Sequence, residues 1–206
     1  MCRTSGIVEN EEALNSTILE ETPNGDMPVD VFDRLASDRI LFLSDQITDQ
    51  SITNIVATLM VKDMEDEMSP ITIFINSEGG DIRSTFMLYD AMQLIASPIR
   101  TVCVGMAMNE AVLILAAGTP GFRFATPHAI ISPSQLAHSS ATYGALPDVS
   151  ALMDRFNKDY KVTMQTLAKC TSKSYKEVCA FFERKKFFSA KQAKSYGIID
   201  GIIKIK

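Results

Sequence analysis

The chain has 206 residues, enough for one domain with a sizeable core, and its 46% apolar and 22% charged residues are ordinary for a soluble globular protein. A formal net charge of -5 provides no basic footprint for nucleic acid, and no apolar run reaches the roughly 18 to 20 residues that span a bilayer. Four cysteines, Cys2, Cys103, Cys170 and Cys179, lack C-x-x-C spacing, which argues against a zinc site and a disulfide framework.

The first 26 or so residues are polar and read as a flexible arm with a short excursion around Ile18 and Leu19, ending in the turn signal TPNGD. The start, MCRTSGIVENEEALNS, has neither a signal-peptide apolar region nor an Arg-rich transit pattern. Together with Cys103 and Cys179 in apolar runs, this implies a cytoplasmic or cytosol-like compartment, a plastid included. Residues 27–206 form the expected domain.

From Val29 strand and helix patterns alternate. ILFL (40–43) is a short apolar strand, and Ile52, Ile55, Val56, Leu59 and Met60 recur at helical spacing. ITIFIN (71–76) reads as a strand buried on both faces, SEGGD as a turn, and IRSTFMLYDAMQLI as an amphipathic helix. TVCVGMA is the next strand, NEAVLILAAG a helix ending at Gly118, and FRFAT and AIIS are short strand candidates. The rhythm predicts an α/β fold with a mainly parallel sheet and crossover helices. A long projecting helix over about 147–169 opens near Pro147 and carries the stripe Val149, Leu152, Met153, Phe156, Tyr160, Met164 and Leu167. SYKE (174–177) and SAKQ (189–192) match capping boxes, so two short helices start there, and GIIDGIIKIK reads as a closing strand.

VGMAMNEAVLILAAG (104–118) is the stretch closest to chemistry. A β-prone run meets a helix through small residues, a junction that exposes one side chain at a sheet edge and aims backbone N–H groups at it. Asn109 stands there, followed by Glu110. An amide is a poor nucleophile but a good helix N-cap, so residue type points to capping. The chain has two histidines. His128 reads as a loop residue; His138 lies among Ser132, Ser134, Ser139 and Ser140 without a recognisable triad pattern.

VDVFDRLASDRILFL, INSEGGDI, YDAMQLI, GMAMNEAVLILAAGTPGFRFATPHA and FFSAKQAKSYGIIDGI, in that order, resemble the proteolytic subunit of the Clp protease, ClpP (peptidase family S14). The resemblance implies a crotonase-like α/β fold and a serine peptidase built as two stacked seven-membered rings, a tetradecamer. Unfolded polypeptides are fed to it by an AAA+ Clp ATPase that uses the ATP, so no cofactor and no metal is implied for this chain. The helix over 147–169 matches the family's handle, and Ile18 to Asn24 its axial hairpin.

The family's nucleophile pattern, G-x-A-x-S-M-G-A, falls on Gly105 to Val112 and puts Asn109 at the serine position. Its M-I-H-Q-P strand falls on Ser132 to Leu136, putting Ser134 at the base position, and Lys185, two residues before Phe187, stands where the family has Asp. A hydroxyl is no base near neutral pH, and a lysine would oppose an imidazolium. The oxyanion-hole equivalents are Gly80 and Glu110, now flanked by Glu78 and Asp81. Carboxylates so placed disfavour an oxyanion, though Asp81 and Glu110 also suit helix N-termini. AHSSATYGALPD replaces the glycine-rich substrate-pairing segment.

The resemblance therefore implies a non-catalytic, ClpR-type subunit that co-assembles with catalytic ClpP-type subunits. Two alternatives stay open: a crotonase-like enzyme of other chemistry, with Glu110 as acid or base, and a homomeric structural ring.

Overall fold

The computed structural model describes residues 17–22, 25–133, 146–182 and 187–204. The chain runs β1 (Thr17–Thr22), β2 (Gly25–Asp30), α1 (Val31–Ser37), β3 (Ile40–Ile47), α2 (Asp49–Glu65), β4 (Ile71–Gly80), α3 (Ile82–Leu94) and β5 (Ile99–Met108). It continues through α4 (Ala111–Ala116), β6 (Arg123–Ala125), β7 (Ile130–Ser132), α5 (Leu146–Thr171), α6 (Tyr175–Phe182), β8 (Phe188–Ser189), α7 (Ala190–Tyr196) and β9 (Gly201–Ile202).

The expected α/β fold is present. A seven-stranded sheet has the order β3-β4-β5-β6-β9, with β7 paired to β5 and β8 to β7. Every pairing in it is parallel except β7–β8. β1 and β2 form a separate antiparallel hairpin, whose pairing runs across residue 26. β5 divides its partners: Thr101–Cys103 pair with β6 and Met106–Met108 with β7. The sheet therefore forks at Val104 and Gly105, and the far half of β5 is steered toward its own neighbours.

Burial on both faces of β4 is not what the structure shows. Ile71, Ile73 and Ile75 are fully buried, whereas Thr72 and Phe74 are half-buried and Asn76 is exposed. The reason is layering: the core gathers Ile52, Leu59, Leu88 and the apolar α4 on one side. On the other side Phe74 stacks on Phe42, centroids 5.3 Å apart, and Phe42 meets Phe32 of α1 edge-on. Each apolar side chain removed from water on the covered face contributes about 1.5 to 3 kcal/mol.

Local signals explain most helix starts. Thr48 and Ser51 form a capping box at α2, and Asp81 accepts from the Ser84 N–H at α3. The two capping boxes expected from sequence are formed, by Ser174 with Glu177 and by Ser189 with Gln192. α5 extends a little past both expected ends. Met164 and Leu167 are fully buried against the core, while Met153, further out on the same stripe, is 54% exposed. Val149 and Leu152 lie outside the residues whose side chains are described. The C-terminal half of this helix is thus the part that docks on its own subunit.

One buried cation ties the sheet to three helix ends. Arg123 of β6 donates through Nη1 to the carbonyls of Ala116, Cys170 and Gly197, in or just after the last turns of α4, α5 and α7. Its Nε and Nη2 clamp the Asp200 carboxylate, which also accepts from the Gly121 N–H. Helix C-termini present unsatisfied carbonyls and the negative end of the dipole, so a guanidinium satisfies both demands at once.

Candidate functional site

Three strand ends meet where the family's chemistry would sit. Met108, at the end of β5, pairs with Ser132, at the end of β7, and Ile131 pairs with Phe188, at the start of β8. The end of β4 closes the fourth side through Asn109 and Glu110, as described next. SEGGD was expected as a turn, but the strand runs on to Gly80, with Gly79 and Gly80 paired to Gln46 and Ile47, and the chain turns into α3 only at Asp81. Ser134, Lys185 and His138 lie outside the described residues, so only the flanks of these positions, Ser132 and Phe187, are placed. His128 is exposed in the turn between β6 and β7.

Asn109 occupies the tip of the β5–α4 junction with φ 49°, a left-handed conformation that few residue types other than Gly, Asn and Asp adopt readily. Its backbone N–H donates to the Ser132 carbonyl at 2.9 Å, and its Nδ2 donates to the Glu78 carbonyl at 2.7 Å. The expectation that Asn109 caps the helix is corrected. α4 starts one residue later, so the cap position falls on Glu110, which has helical dihedrals and makes no side-chain cap bond. The side-chain amide of Asn109 instead braces the neighbouring end of β4.

Glu110 is only 7% exposed. Its Oε2 accepts the backbone N–H of Gly80 at 3.0 Å. Gly80 and Glu110 are the two residues that the sequence resemblance assigns to oxyanion-hole positions. Burial pushes the Glu110 carboxyl above its ordinary pKa, the negative Asp81 adds to that, and the N–H groups of Gly80 and Glu110 oppose it. The carboxyl is thus held by the Gly80 N–H.

The glycines at the end of β4 leave it room. Gly79 has φ 93°, and a Cβ there would lie 2.5 Å from Glu110 Oε2 and 2.8 Å from Asn109 Cβ. A Cβ on Gly80 would overlap the Ile47 carbonyl of β3. Ser77 fixes the approach to the glycine pair, donating to the Asp45 carbonyl and accepting the Gly79 N–H. Asp81 serves α3, as its residue type suggested: its Oδ2 takes both the N–H and the hydroxyl of Ser84. Glu78 is exposed. Among the described residues no group of three or more His, Cys, Asp or Glu side chains is placed to hold a metal ion.

The model of the Clp protease family matches residues 23–206. The chain belongs to the Clp protease family. It is 37% identical over 194 residues, 94% of either chain, to the ATP-dependent Clp protease proteolytic subunit 1 of Tropheryma whipplei strain Twist. The same identity and coverage relate it to the ATP-dependent Clp protease proteolytic subunit 2 of strain TW08/27. No helix among the described residues of this Clp-family chain is long and apolar enough to cross a membrane.

Placement in the family gives the site its meaning. The β5–α4 junction turns sharply at a left-handed Asn109, and the side chain it presents there is an amide. That Glu78 and Asp81 flank the glycine pair and that Glu110 follows Asn109 is plain in the sequence. That one of them turns back to take the Gly80 N–H is not, because nothing in the residue order states where a side chain's far end lies.

Proposed function

We propose that this chain is a non-catalytic, ClpR-like subunit of an ATP-dependent Clp protease, a serine-peptidase homologue whose triad positions, Asn109, Ser134 and Lys185, are all substituted. It co-assembles with active ClpP-type subunits into stacked heptameric rings. An AAA+ Clp ATPase feeds unfolded polypeptides into the barrel, and the partners' serines cut them. The contact from the Gly80 N–H to Glu110 Oε2, beside an Asn at the nucleophile position, is the observation that carries this reading. An acyl-enzyme needs a nucleophile and free oxyanion donors, and here an amide stands for the first and a carboxyl occupies the second. The same occupancy speaks against acyl-CoA chemistry at this site, which would need the same donors.

A surface feature supports a role in assembly. Met153, 54% exposed on the outer part of the long helix α5, leaves apolar surface that a neighbouring subunit would cover. The test is purification of the tagged full-length chain from its native host, with mass spectrometry of the intact assembly. The expected result is a ring-sized complex containing at least one further Clp proteolytic subunit that carries serine at the position of Asn109. Isolation of a ring made of this chain alone would contradict the proposal and favour a homomeric structural role.

A further inference from the structure

The Glu110 side chain has a consequence that the loss of Asn109, Ser134 and Lys185 does not require. A site with no nucleophile could keep empty oxyanion donors at no cost to its inactivity. Here a glutamate folds back from the cap position of α4, is nine-tenths buried, and accepts the one N–H at the end of β4 that the family would offer to a substrate. Gly79 has no side chain and only thereby leaves space for Oε2. The adjacent donors are already used: the Gly79 N–H goes to Ser77 Oγ and the Asp81 N–H to the Ile47 carbonyl. Without Glu110, the Gly80 N–H would be a part-buried donor with no partner from its own segment.

We propose that Glu110 is a built-in occupant of the oxyanion hole. Its carboxyl stands where the oxygen of a tetrahedral intermediate would bind, closes the hole to substrate oxygen, and holds the Gly79–Gly80 segment in the substrate-bound shape with no substrate present. Through the Gly80 N–H it is a positioning residue for this segment and an internal ligand for the hole. The proposal rests on the non-catalytic reading of the site, but its test does not use activity or partners. The energetics follow from the geometry: a buried carboxyl oxygen accepting the Gly80 N–H in a site screened from water satisfies the donor that a substrate oxygen would otherwise take. The inferred ligand class of the emptied hole is therefore a small carboxylate.

Hydrogen–deuterium exchange of the segment 78–82 in the full-length assembled chain tests this. Glu110→Ala is expected to speed exchange at the Gly80 amide about tenfold, and sodium acetate is expected to restore at least half of the lost protection. Sodium chloride at equal ionic strength should restore none. Glu110→Gln, which keeps an acceptor at the same reach, should stay within about threefold of the parent. If Glu110→Ala fails to assemble, Glu110→Asp replaces it, with its carboxylate one methylene short of the donor, and the same readings apply. Unchanged exchange in the shortened variant would overturn the proposal. So would faster exchange that acetate and chloride affect equally, since that marks a general loosening of the segment. Neither result bears on whether the chain assembles with active subunits, which the purification experiment decides separately.

Discussion

A chain restored at Asn109→Ser, Ser134→His and Lys185→Asp is expected to stay unreactive toward a fluorophosphonate probe until Glu110→Met is added. The three changes supply a nucleophile, a base and its orienting carboxylate at the positions the family pattern assigns. They leave Oε2 of Glu110 on the Gly80 N–H, where the phosphoryl oxygen of the probe would have to bind. Losing a single oxyanion donor costs acyl-transfer enzymes roughly a hundredfold to a thousandfold in rate. The four-position chain should therefore label at least a hundred times faster than the three-position chain. Equal labelling of the two would show that the carboxyl moves aside readily. Silence of both would show that Ser134 or Lys185 is not where the base or its carboxylate belongs.

Arg123→Ala is expected to be the most destabilising single substitution considered for the fold. It removes a bidentate clamp on Asp200 and leaves the carbonyls of Ala116, Cys170 and Gly197 without this donor. Breaking one partner out of a buried pair costs about 3 to 5 kcal/mol. At about 2 to 4 °C per kcal/mol for a domain of this size, the apparent Tm should fall by about 10 °C. A fall of under 3 °C in a thermal shift assay would show that the network is dispensable. The pair also predicts a pH effect. The Arg123 hydrogen bond holds the Asp200 carboxyl below its ordinary range, against the opposing effect of burial. A depressed carboxylate stabilises the fold above its unfolded pKa, about 3.9, and that contribution disappears as pH falls through the lower folded value. Asp200→Asn should accordingly flatten the acid limb of Tm against pH, although Asp63, Asp66 and Glu177, also depressed, keep their own contributions.

Much of the architecture was legible because it is written in local periods. The helical spacing of Ile52 to Leu59, the β-run ITIFIN and the capping boxes at Ser174 and Ser189 each depend on residues within a few positions of one another. The left-handed backbone of Asn109 was not readable from the residue order. The rest depended on distance. Arg123 reaches Cys170, Gly197 and Asp200, 47 to 77 positions away, and no periodicity announces such a contact. The half-open face of β4 was read as buried because an apolar strand looks the same whether a helix or an aromatic neighbour such as Phe42 covers it. Glu110 was readable as an acidic residue at a helix start, a role that its residue type suits and its side chain does not take.

This Clp-family chain is expected not to cut peptides by itself. The most direct test is hydrolysis of a fluorogenic peptide by the chain purified alone and within the mixed barrel. The predicted result is no hydrolysis by the chain alone, and hydrolysis by the barrel that is lost when the partner's nucleophilic serine is replaced. Hydrolysis by the lone chain, blocked by a serine-directed phosphonate, would contradict it.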